Sequence, residues 1–102
     1  MPAYWLARCK IDDPVQYKKY TDQVPAIVAK FGGKVLARGG NYQIMEGPEK
    51  FTRYVVIEFP TMEQAVACHR SPEYAKARAL RVGNAIANII VTEGYEGPQP
   101  GE

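Results

Sequence analysis

The hydrophobic pattern of this chain changes period along its length, from two residues to about 3.6 and back, in an order that few folds accommodate. Residues 4–11 alternate apolar and polar side chains as a half-buried strand does. Asp13 and Pro14 read as a helix N-cap and first helical residue. Tyr17, Tyr20, Val24, Ile27 and Phe31 then recur on one face until Gly32 and Gly33 stop the helix. Pro25 lies inside that helix and removes an amide, so a kink or a split is expected there. Residues 34–38 read as a second strand ended by Gly39 and Gly40, a short extended piece is expected near Gln43 to Glu46, and residues 53–59 read as a β-branched central strand. Thr61 with Gln64 forms a capping box opening a helix whose inner stripe is Met62, Ala65, Val66 and His69. Ser71 and Pro72 restart the chain as a helix that Gly83 closes, and residues 87–95 supply the last strand.

The order β-α-β-β-α-β is the ferredoxin-like arrangement, an α+β fold with a four-stranded antiparallel sheet and helices on one face. Residues 1–96 read as one unit and residues 97–102 as a Pro- and Gly-rich tail. Strict alternation puts Trp5, Ala7, Cys9, Ile11, Val35, Ala37, Val55, Ile57, Phe59, Ala87, Ile89 and Val91 under the helices. It puts Leu6, Arg8, Leu36, Arg38, Tyr54, Val56, Glu58, Asn88, Ile90 and Thr92 on the other side. That second face is too apolar to be left in water, which predicts a homodimer whose two sheets face each other.

The charge balance narrows the partners. Thirteen Lys and Arg against 11 Asp and Glu give a net charge of +2 with the signs intermixed, which points away from nucleic acid. No apolar run approaches the roughly 18–20 residues of a membrane span, and the first residues lack the pattern of a secretory signal, so a cytoplasmic protein is expected. Cys9 and Cys68 read as buried thiols. With one histidine and two scattered cysteines, neither a metal site nor a cofactor is expected.

Four residues stand out as ligand-binding candidates. Tyr74 and Arg78 lie at i and i+4 on the last helix, with Arg81 at i+7, so an aromatic ring and guanidinium groups share a face. Arg81, in the last turn, is better explained by the helix dipole. Arg38 ends a strand just before bare glycine backbone, where a ligand can approach closely; a salt bridge to Glu46 or Glu58 is the equal alternative. His69 sits at a helix C-terminus, where packing explains it as well as chemistry does. Together Arg38, His69, Tyr74 and Arg78 suit a small anionic or aromatic ligand.

Several phrases, in order, carry a family resemblance: Tyr4-Trp5-Leu6-Ala7-Arg8, Gly32-Gly33 leading to Leu36-Ala37-Arg38-Gly39-Gly40, Val55-Val56-Ile57-Glu58-Phe59-Pro60, and Ser71-Pro72-Glu73-Tyr74 with Arg78 and Arg81. Over residues 3–96 the chain resembles a bacterial family of unknown function in the dimeric α/β-barrel superfamily. The resemblance implies a subunit that dimerises through its sheet, and no established reaction. Relatives in the wider superfamily include cofactor-independent monooxygenases, isomerases of small lactones and ligand-sensing domains. Three readings follow: a dimeric small-molecule-binding protein, a cofactor-free enzyme in which His69 or Glu58 removes a proton and Arg38 stabilises the enolate, or a dimerisation module alone.

Overall fold

The computed structural model describes residues 1–101. The elements run β1 (Ala3–Ile11), α1 (Pro14–Lys30), β2 (Lys34–Arg38), β3 (Arg53–Phe59), α2 (Met62–Arg70), α3 (Pro72–Ala79) and β4 (Ala85–Glu93). The strands form one antiparallel sheet in the order β2-β3-β1-β4. This is the ferredoxin-like arrangement with its second helix broken in two.

Each break has a local cause. Asp13 accepts from the amides of Val15 and Gln16, so α1 starts where the sequence places its cap. Helix α1 then runs through Pro25 without the expected split, since Tyr20 and Ile27, on either side, are both buried and hold the helix against the sheet. Ser71 is extended, and its hydroxyl accepts from the Tyr74 amide. Pro72 occupies the first helical position, so α2 stops and α3 begins at one residue. The expected extended piece at residues 43–46 is loop instead, because no neighbouring strand is there to take its hydrogen bonds.

The helices cover one side of the sheet. Ala3, Trp5, Cys9, Ile57 and Phe59 are buried beneath Tyr17, Tyr20, Ile27, Val28, Ala65, Cys68, Tyr74 and Ala77. Trp5 Nε1 donates to the Ala65 carbonyl at 2.8 Å and pins α2 to β1. Both cysteines are buried thiols; burial and then the Glu73 carboxylate push Cys68 up to about 11, so it stays protonated near neutrality.

One strand departs from simple alternation. On β2 the pairing goes from Val35 with Ile57 to Ala37 with Val56, leaving Leu36 as an inserted residue. The bulge reverses the side assignment that strict alternation gives to Ala37 and Arg38. Arg38 now pairs with Val55 and lies on the helix-covered side, while Ala37 joins Val56 on the open one.

The open side is organised in rows. Ala37, Val56, Leu6 and Ile90 form an apolar row across the whole sheet. Lys34, Glu58, Tyr4 and Thr92 form a polar row on one flank, and Tyr54, Arg8 and Asn88 another. Leu6, Leu36, Ile86 and Ile90 are exposed in the single chain, Ile90 by 58%. Among the described residues no helix is long and apolar enough to cross a membrane.

Candidate functional site

Small side chains on the covered side of the sheet leave space under α1. Two rows cross the sheet there: Arg53, Cys9 and Ala87 in one, and Arg38, Val55, Ala7 and Ile89 in the other. Ala7 and Ala87 are too short to reach the helix above, and Cys9 is met by the Tyr17 hydroxyl reaching down from it. Between them and Tyr17, Tyr20, Thr21, Val24 and Val28 of α1 lies a cavity of about 100 Å³.

The walls of this cavity are cationic. Arg38, Arg53 and Arg81 line it, and no Asp or Glu does. Arg8 borders it between Ala7 and Cys9, but its guanidinium lies 4.5 Å from the centre of the Phe51 ring. The ion pairs among the described residues are Lys18 with Asp22 and Lys30 with Glu73, so neither Glu46 nor Glu58 pairs with Arg38.

Arg81 is the most buried of the three. It follows the α3 cap at Leu80 and turns inward, only 6% exposed, rather than lying along the helix end. Its guanidinium sits 5.1 Å from the Tyr20 ring centre, and Nη2 donates to Tyr74 Oη over a long 3.4 Å. Its Nε is buried without a hydrogen-bond partner, and so is that of Arg53. Arg53 stacks 6.0 Å from the Tyr17 ring centre and lies against Gly39, whose φ of 60° and lack of a side chain leave room for the guanidinium. A buried guanidinium without an acid costs several kcal/mol of desolvation, so this wall is built at the expense of stability.

The tyrosines of α1 tie these cations together. Tyr17 and Tyr20 pack at 5.3 Å, the Tyr17 hydroxyl meets the Cys9 thiol at 3.2 Å, and the Tyr20 hydroxyl meets that of Tyr74 at 2.7 Å. Burial raises both α1 phenols well above their ordinary range, so each remains a protonated hydrogen-bonding group.

The four candidates from the sequence do not converge on one point. Arg38 lines the cavity. Tyr74, fully buried, stands behind the wall and links Tyr20 to Arg81. His69 packs on Tyr74 at 4.9 Å and on Trp5 at 5.6 Å, and with the exposed Arg78 it borders an outer recess that Arg81 also reaches. Reading the sequence for ligand-binding residues did not single out Tyr17, Tyr20 and Arg53, which line the cavity. Arg53 carried a usable signal: it is in phase with Val55 and Ile57, so alternation alone puts a charge among core positions.

The surroundings of His69 set a pH dependence. Burial first, then Arg81, Arg78 and Arg70, lower its pKa. Above its ordinary value of about 6.5 both folded and unfolded states hold it neutral; below that value the unfolded chain takes up the proton first, and stability falls until the folded-state value is passed. Urea unfolding at about pH 7.5 and about pH 5.5 should show the wild type losing stability on acidification and His69→Gln losing less. Equal losses would mean that other groups carry the effect. Among the described residues no group of His, Cys, Asp and Glu is placed to hold a metal ion.

Comparison with known proteins places these features. A family model described as a domain of unknown function (DUF1330) matches residues 2–95. No curated protein matches the chain. Among solved structures, a protein of unknown function from Rhodopseudomonas palustris is similar at 21% identity, covering 94% of this chain and 84% of the other, with a TM-score of 0.74. A dimeric ferredoxin-like protein of unknown function from Jannaschia is similar at 13% identity, covering 92% of this chain and 100% of the other, with a TM-score of 0.67. SnoaB, a cofactor-independent oxygenase from Streptomyces nogalater, is similar at 10% identity, covering 94% of this chain and 95% of the other, with a TM-score of 0.63. At these identities the likeness is one of fold.

Proposed function

Since the chain belongs to the DUF1330 family, whose description names no activity, we propose a function from the cavity itself: a cytoplasmic, homodimeric protein that binds a small anionic molecule between its sheet and α1. Residues 1–96 form the folded unit and residues 97–102 its tail, of which residue 102 lies outside the described residues. Arg38 belongs to the site directly, with Arg53 and Arg81. Tyr74 holds the wall from behind, and Arg78 provides positive charge on the far side of Arg81, next to a His69 that burial and the surrounding arginines keep neutral near pH 7.

One observation carries this reading. Arg81 is 6% exposed, has an unpartnered Nε, and lines a cavity that contains no acid. An anionic ligand supplies the missing charge. The cavity also lacks the proton-abstracting groups that the enzymatic reading assigns, since His69 lies in the outer recess and Glu58 in a row on the open side. The SnoaB likeness, at 10% identity, is one of fold and brings no oxygenase chemistry to this cavity.

The dimer rests on the apolar row of the open side, and the Jannaschia relative, itself dimeric, supports it. Thermal unfolding with small carboxylates, phenols and neutral analogues tests the ligand class. A carboxylate present at 100 times its Kd should add about 2.7 kcal/mol of stability. No response to any carboxylate, at matched ionic strength, would contradict the proposal.

A further inference from the structure

The cavity's cations stand on two flanks rather than in one cluster. Arg53 starts β3, and Arg38 ends β2 beside it, next to Gly39. Arg81 comes from the opposite side, in the segment that leads from α3 into β4, where its carbonyl accepts from the Asn84 amide. Arg53 and Ala87 pair with the same residue, Cys9, so their backbones are two strand spacings apart, roughly 10 Å. Tyr17 beside Arg53 and Tyr20 beside Arg81 form the roof between them.

A single carboxylate fits the fork of one guanidinium and leaves the other flank without an acid. Resting on the anion-binding reading above, we infer that the ligand carries two acid groups: it is a small acyclic dicarboxylate. One carboxylate meets Arg81 at the inner, buried end. The other meets Arg53 and Arg38 at the exposed end. The space between the flanks is narrow, about 100 Å³, so it is the short carbon chain that lies within it, with the two carboxylates at its ends. Ala7, Cys9 and Ala87 give the chain an uncharged floor.

Calorimetric titration of the full chain with succinate and glutarate, against butyrate and inorganic phosphate, tests the inference at fixed ionic strength. The dicarboxylates should bind at least about tenfold more tightly than butyrate. Arg81→Gln and Arg53→Gln should each bring succinate down toward the affinity of butyrate, and Arg53→Gln, at the more exposed end, keeps the test open if Arg81→Gln folds poorly. Butyrate or phosphate binding as tightly as succinate would overturn the two-acid inference and leave the anion cavity standing. If none of the four binds, both fall.

Discussion

Replacing Arg81 with methionine should make the protein more stable, by about 1–2 kcal/mol. Three effects compete at this residue. Desolvation of an unpaired guanidinium costs several kcal/mol, and methionine removes it while keeping most of the apolar stem. Against this stand the stacking on Tyr20, worth at most about 2 kcal/mol, and a hydrogen bond to Tyr74 that is long at 3.4 Å. Tyr74 keeps its bond to Tyr20, so no hydroxyl is orphaned by the change. For a chain of this length the thermal midpoint should rise by roughly 5–10 °C. Scanning calorimetry at equal protein concentration checks this, and a lowered midpoint would show that the charge is already compensated in the folded protein. The same variant should lose ligand binding, the usual exchange where a site is held in a destabilised state.

Ile90→Asp should dissociate the proposed dimer. Ile90 ends the apolar row that runs through Ala37, Val56 and Leu6. Burying a carboxylate there costs several kcal/mol, so the dimer Kd should rise by at least about a hundredfold. Since Ile90 is 58% exposed in the single chain, the fold of the subunit should survive, and far-UV circular dichroism should be unchanged. Thr92→Asp, in the polar row with Tyr4 and Glu58, should have a much smaller effect. Sedimentation velocity at micromolar concentration distinguishes these outcomes. A wild type that sediments as a monomer would contradict the sheet-to-sheet dimer outright.

The elements of the fold were legible because each has a local signature. Asp13-Pro14, Thr61 with Gln64 and Ser71-Pro72 mark helix starts through hydrogen bonds made within three residues, and the strands show their alternation directly. The site was less legible. Arg38 was a ligand-binding candidate, with a salt bridge as the equal alternative, yet alternation alone assigned it to the open side of the sheet. A bulge at Leu36 leaves no mark in composition, so its reversal of the side chains could not be read. Arg81 looked like a dipole-complementing residue because its helical phase continues that of Tyr74 and Arg78, but α3 ends at Ala79 and the next turn swings Arg81 inward. Tyr17 and Tyr20 were correctly read as inward-facing. That they cover a space rather than fill it depends on Ala7, Cys9 and Ala87 coming into register beneath them, which only the pairing of three strands reveals.

The most direct test of a cavity held open around an uncompensated charge is the stability difference between Arg81→Met and wild type, measured without succinate and again at saturating succinate. The expected result is that the variant is the more stable protein in the absence of succinate and that its advantage shrinks or reverses as the wild type alone is stabilised. A difference that stays the same at both concentrations would contradict the account.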